Sequence, residues 1–372
     1  MRLKLLLFAI LLTATNIYGQ VYSDKIVGKK NEALIDSLTV EEYPYILPIW
    51  GEKATKKGFQ LPYSAGMSVT YFWQRSDLVI NNISVGFNNG PQYNLSQVVR
   101  FNGAQAETNS VTVRPDVWVL PFLNIYGILG KSSSSTTIDA GIWIPDGDNN
   151  WTEVTTFNTK ANFNASTLGF GITPTIGIAG GWLAMDMNMS WTDVDALKKP
   201  AFIFNFGPRF GKTFKFNNPD SNIALWVGAF RVHLKSQTAG SLNLAEVLPL
   251  DGAQTKVDNG LQKVAENQES VDAWWNSLST TQQANPINRA KYNTANAALE
   301  SAGNVLNAMD GALSTAESST VQYNLDKAPK DMWNFIVGTQ YQYNRHFMFR
   351  AECGFLGSRT QFLCGLQYRF GL

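Results

Sequence analysis

Thr360-Gln-Phe-Leu-Cys-Gly-Leu-Gln-Tyr-Arg-Phe370 precedes Gly371 and Leu372, and it places an apolar or aromatic residue at every second position: Phe362, Cys364, Leu366, Tyr368 and Phe370. Gly365, Gln367 and Arg369 lie between them. The same pattern recurs upstream. Leu168, Phe170, Ile172, Pro174, Ile176 and Ile178 share one face against Thr167, Gly169, Gly171, Thr173, Thr175 and Gly177. Met185, Met187, Met189 and Trp191 oppose Ala184, Asp186, Asn188, Ser190 and Thr192. Phe204, Phe206, Pro208 and Phe210 oppose Asn205, Gly207 and Arg209. Side chains alternate across a strand, so each stretch has one oily face and one polar or small face. The stretches run roughly 10–14 residues, which is long for a soluble sheet and suits a tilted membrane strand.

An aromatic at the end of a final alternating strand resembles the last strand of Gram-negative outer-membrane β-barrels. The resemblance covers roughly residues 65–372 and concerns the broad class only. It implies an all-β fold, a transmembrane antiparallel up-and-down barrel, with outer-membrane lipid and the barrel-assembly machinery as partners. In that class the terminal aromatic is read by the assembly machinery, so Tyr368 and Phe370 are the expected assembly signal. The location it implies is the outer membrane.

The start of the chain agrees. Met1-Arg-Leu-Lys4 is basic, Leu5 to Leu12 is apolar, and Asn16-Ile-Tyr-Gly19 precedes Gln20. This reads as a signal peptide over 1–19, with export across the inner membrane. Its apolar run is too short for a membrane helix, and the mature chain has no run of about 18 apolar residues. Residues 20–64 form an N-terminal periplasmic or plug segment. Tyr43-Pro-Tyr-Ile-Leu-Pro-Ile-Trp50 is oily, but its two prolines exclude a membrane strand; it is expected at the periplasmic mouth.

Charged residues are 16% of the chain, low for a soluble protein of this length. A net charge of +1 makes no electrostatic case for nucleic acid. Phe, Tyr and Trp supply aromatic girdles. Cys353 and Cys364 are the two cysteines and exclude a disulfide scaffold.

About ten strands are predicted, near 65–76, 110–120, 123–132, 165–179, 182–194, 201–214, 222–236, 332–344, 346–357 and 359–370. Twelve is the alternative, if 78–100 adds extended structure. Bacterial barrels have short periplasmic turns and longer outer loops. Counting back from Phe370, the tight connections at 344–345, 215–221, 180–181 and 121–122 all fall on the periplasmic side. The connections near 77–109, 133–164, 195–200, 237–331 and 358 fall outside, and three of these five are long. With Ser358-Arg359 as a two-residue turn, Cys353 pairs with Cys364, both facing lipid.

Between the seventh and eighth strands the period changes. Val257, Leu261, Val264, Gln268 and Val271 recur at helical spacing, as do Ala290, Ala297, Val305, Met309 and Ala316. This predicts a helical hairpin over 251–318, inserted in an extracellular loop. It would cap the mouth, stand as a stalk, decorate the loop or present a surface to an extracellular partner.

The alternation assigns a lumen-facing polar set: Arg114, Asp116, Asp186, Asn188, Asn205, Arg209, Gln340, Gln342, Arg350, Glu352, Gln367 and Arg369. Such groups pair with one another or line a water path. Catalytic residues are not expected. Only His233 and His346 are present, and Ser236, three residues after His233, would face the opposite side of a strand. No cofactor is implied, and two histidines with two lipid-facing cysteines build no zinc site. The sequence thus predicts a small transporter or channel-like barrel with a largely occluded polar lumen. One alternative is a membrane anchor that presents the hairpin as a structural or interaction surface. Another is a barrel hydrolase acting on lipid or peptide.

Overall fold

The computed structural model describes residues 24–25 and 43–372, apart from positions 58, 179, 196, 198, 219 and 236. The leader expected over 1–19 lies outside the described residues. The main strands are β1 (Ala65–Phe87), β2 (Val99–Leu120), β3 (Leu123–Pro145), β4 (Trp151–Ile178), β5 (Gly181–Val194), β6 (Ala201–Lys215) and β7 (Asn222–Lys235). They continue with β8 (Gln237–Asn243), β9 (Thr320–Pro329), β10 (Trp333–Gln342), β11 (Phe347–Phe355) and β12 (Arg359–Phe370). Among the described residues the helices are α1 (Gly51–Thr55), α2 (Leu244–Val247), α3 (Ala253–Ser277), α4 (Thr280–Ala284) and α5 (Pro286–Leu313).

β1–β7 and β10–β12 form a closed antiparallel barrel of ten strands. Neighbours in sequence pair, β7 pairs with β10 across the insertion, and β1 pairs with both β2 and β12. Ala65 therefore lies opposite Val117 on one side and Phe370 on the other. The turns after β2, β4, β6 and β10 gather at one end, which also holds the start of β1 and the end of β12. The turn after β4 sits one residue earlier than the predicted 180–181: Gly180 occupies it with φ 73°, and Gly181 already belongs to β5.

The last hairpin corrects the predicted register. Cys353 lies opposite Phe362, and Cys364 opposite Ala351. Leu356 and Gly357 both take left-handed backbone, with φ 72° and 73°, so the turn is built earlier than Ser358-Arg359. The slip is two residues, which leaves every side chain on its face. Both thiols are free, and Arg359 becomes a strand residue pointing inward.

The predicted outer connections at 77–109 and 133–164 are largely strand. β1, β2, β3 and β4 run 23, 22, 23 and 28 residues, against 10, 9 and 12 for β10, β11 and β12. The oily outward phase stops near Leu129 and Leu168. Beyond it the outward positions are Lys131, Ser133, Ser135, Lys160, Asn162 and Asn164, while Thr, Ile and Phe keep the chain extended. A polar wall therefore stands above one side of the ring. Above Asp77, β1 leaves β2 and pairs with β9, which carries β8.

The hairpin docks on the lumen side of this wall. Ile142 and Ile144 share the inward phase of Tyr126, and both are buried against the helices. The resulting core holds Val98, Val154, Val257, Val271, Leu299, Val305, Leu306 and Met309. It is far larger than the apolar cluster inside the ring, which is Trp182, Ala184, Ala224 and Trp226. The predicted seam of the second helix is corrected: Ala290 and Ala297 are exposed, whereas Ala295, Ala298, Leu299, Ala302 and Leu306 are buried. An alanine-rich helix marks its inner face weakly, and Leu299 and Leu306 settle it. Pro286 starts α5, with the Asn285 side chain accepting from Ile287 N.

Residues 43–50 lie on the short-turn rim. Ile46 N donates to Leu372 O at 2.9 Å, and Ile49 N to Val119 O at 2.8 Å. The Tyr45 ring meets Tyr63 edge-on. Burial pushes the Tyr43 phenol up to about 12, and its hydroxyl donates to Leu47 O at 2.8 Å.

Candidate functional site

Inside the ring, the polar side chains converge on three carboxylates. Glu352 on β11 accepts from Arg209 Nε at 2.8 Å and Nη2 at 3.2 Å, from Trp226 Nε1 at 3.0 Å and from Arg350 at 3.2 Å. Asp186 on β5 accepts from Tyr126, from Thr173 at 3.0 Å and from Arg209 Nη1 at 3.4 Å, with Arg114 4.0 Å away. Asp116 on β2 accepts from Asn124 and Gln367, each at 2.8 Å, and from Arg369 at 2.9 Å. Asp116, Asp186, Arg209, Glu352 and Arg369 are all buried. Strands far apart in sequence are thereby tied across the interior.

Inward aromatics fill the remaining width, and glycines make room for them. The Tyr126 ring lies over Gly171, Trp226 over Gly338 and Trp182 over Gly211; a Cβ at any of these glycines would run into the ring. Arg114 stacks on Tyr126 with its guanidinium carbon 3.9 Å from the ring centre, and Arg350 lies 5.0 Å from that of Trp226. A cavity of about 110 Å³ remains between these groups, lined by Arg114, Tyr126, Thr175, Trp226 and Arg350 among others.

The other predicted lumen residues sit around this cluster. Asn205 donates to Asn188 at 3.0 Å. Gln340 lies by Met348, and Gln342 donates to Asp220 O at the short-turn end. Tyr126, Trp182, Trp226, Thr173 and Asn124 are absent from the predicted set. They share its inward phase; the three aromatics and Thr173 are neither charged nor amides, whereas Asn124 is an amide beside the turn at 121–122.

Tyr368 and Phe370 point outward at the short-turn end, 45% and 39% exposed. His346 is engaged there: Nδ1 donates to Arg369 O at 2.8 Å and the ring stacks on Tyr368. His233 lies beside Phe204 on the outward face, and Ser236 is outside the described residues. Among the described residues no group of three His, Cys, Asp or Glu side chains is placed to hold a metal ion. At the long end, Asp331 accepts from Ser358 N at 2.8 Å, and this bond holds its carboxyl below the usual range.

No protein-family model matches the sequence, and no curated protein matches it. Among solved structures, the β-domain of the Bordetella autotransporter BrkA shares 8% identity over 82% of this chain and 100% of its own, with a TM-score of 0.34. The translocator domain of the autotransporter NalP from Neisseria meningitidis shares 7% over 82% and 89%, with a TM-score of 0.30. A Pseudomonas aeruginosa FadL homologue shares 8% over 82% and 90%, with a TM-score of 0.26. Scores this low add nothing to the strand pairing, which establishes the closed barrel by itself.

Proposed function

We propose that this protein is an outer-membrane β-barrel with a closed lumen, anchoring an external head made of the polar wall and the helical hairpin. The outward apolar band carries this reading. On β4 it runs from Leu168 through Phe170 and Ile172 to Ile178, and these four are 62%, 51%, 36% and 47% exposed. Ten residues of rise at about 3.3 Å each, tilted by about 40°, give roughly 25 Å, the height of a barrel's lipid-facing belt. Met189, Phe210, Leu225, Val227, Phe349 and Leu366 extend the belt around the ring. Exposed apolar surface on this scale is costly in water and favourable in lipid.

In this orientation the short turns are periplasmic and the head is extracellular. The ion-paired cluster closes the lumen at the inner level, and the hairpin stands over the outer one. An anchor with a head needs no open path, so the geometry favours it over a standing channel. A second reading, a small transporter closed at rest, is supported by the polar cavity within the lumen. We assign no catalytic role, since His346 is held in the rim contacts described above. A partner recognised by the head belongs to the same proposal.

Planar-bilayer recording of the refolded protein separates the readings. The anchor reading expects no steady conductance, with or without residues 251–318. Conductance that appears only when 251–318 is removed supports the transporter. A steady open pore in the intact protein refutes the closed lumen. A cysteine label near residue 284 should react on intact cells and one at Asn218 should not; the reverse pattern would invert the orientation.

A further inference from the structure

The charges around the cavity do not balance, Arg359 lying nearer the other end beside Asp331. Four guanidinium groups, of Arg114, Arg209, Arg350 and Arg369, face three carboxylates, of Asp116, Asp186 and Glu352. Two of the arginines are ion-paired at close range: Arg209 with Glu352 and Asp186 at 2.8 and 3.4 Å, and Arg369 with Asp116 at 2.9 Å. The surplus falls on the other two. Arg114 reaches Asp186 only at 4.0 Å, and Arg350 meets Glu352 through Nη2 alone. Both border the cavity of about 110 Å³. Their side chains keep 25% and 29% of their surface free although they sit within the barrel.

Further donors point the same way. Among the described residues, Arg350 Nε and Thr175 Oγ1 have no hydrogen-bond partner, and Thr175 is 1% exposed. The carboxylates cannot absorb this surplus, because each already accepts three or more contacts. An uncompensated cation in a low-dielectric interior is unfavourable, and arginine cannot discharge by losing its proton.

We propose that this cavity is a site for one compact anion, a halide or a small carboxylate, held between Arg114 and Arg350 with the Thr175 hydroxyl as a third donor. The volume suits such an ion with a few waters, since each water needs about 10–15 Å³ of such space. A six-carbon sugar acid is too large. The planar fork of Arg114 offers a carboxylate two parallel bonds, where a halide takes a single point contact.

The test refolds the full chain into zwitterionic detergent in sodium gluconate, then repeats the refolding with increasing chloride or acetate at constant ionic strength. Trp182 and Trp226 line the cavity, so intrinsic fluorescence reports on it. The expected result is a saturable change with chloride and with acetate, absent in gluconate alone, and at least tenfold weaker in Arg114→Gln. Equal responses in all three salts, or unchanged affinity in Arg114→Gln, would overturn the site and leave an adventitious ion only. Should Arg114→Gln fail to fold, Arg114→Lys is decisive. It keeps the charge without the fork, so acetate should weaken several-fold more than chloride, and parallel losses would also overturn the site.

Discussion

Replacing Arg209 with methionine tests whether the barrel interior is dry. Methionine keeps the apolar stem and removes the guanidinium. The change deletes two bonds to Glu352, at 2.8 and 3.2 Å, and one to Asp186 at 3.4 Å. Stranding a buried charge costs about 3–5 kcal/mol. Glu352 retains Trp226 and Arg350, and Asp186 retains Tyr126 and Thr173. The loss should therefore sit at the low end, about 3 kcal/mol. Adding Glu352→Gln removes the stranded charge, so the double variant should be at least about 1 kcal/mol more stable than Arg209→Met alone. Reversible urea unfolding from phospholipid vesicles measures both. A loss below about 1 kcal/mol that shrinks further in salt is the behaviour of a solvated pair. That result would refute the closed interior and with it the anchor reading.

Three further outcomes follow from the wall, the last hairpin and the outer turn. Phe170→Arg should cost about 2–4 kcal/mol in lipid, and Asn162→Arg on the wall within about 0.5 kcal/mol; equal costs would remove the belt. Phe362→Cys places a thiol opposite Cys353, so mild oxidation should crosslink it on a non-reducing gel while the native Cys353 and Cys364 stay free; crosslinking of the native pair would restore the predicted register. Asp331 has a depressed carboxyl, so its contribution is present above the ordinary carboxylate range and lost as pH falls through its own lower value. Hydrogen exchange at the Ser358 amide should accelerate over that acid window, and Asp331→Asn should abolish the pH step.

The barrel is legible in the sequence because period-two alternation fixes which face each residue takes. Arg114, Asp116, Arg209 and Glu352 can all be assigned inward on that ground. Their pairings cannot: Arg209 meets Glu352 across 143 residues, and that contact depends on how far each strand is staggered against the next. Tyr126 and Trp226 carry the inward phase plainly, yet an aromatic in a barrel strand reads first as a lipid contact. The wall is hidden for a related reason. An outward face of Lys, Ser and Asn no longer alternates in hydropathy with its inward neighbours, so 133–164 looks like loop although its threonines and isoleucines favour strand. The two-residue slip in the final hairpin keeps every face, so hydropathy offers no way to detect it.

The pairing of β9 on β1 bears on how the ring can close. Joining Ala65 to Phe370 directly asks a chain of roughly 300 residues to find its own beginning, with an entropic cost that grows as the logarithm of that length. If the contact of Leu78 with Pro329, backed by the core under the hairpin, forms first, it ties the two ends together. Only about 30 residues then remain between Pro329 and the start of the last strand, which lowers the closure term by roughly 2 kcal/mol. The head would then act as a clasp during assembly. Leu306→Ala, placed in the buried seam far from the closing strands, should then slow the appearance of the heat-resistant barrel in refolding assays as well as loosen the hairpin.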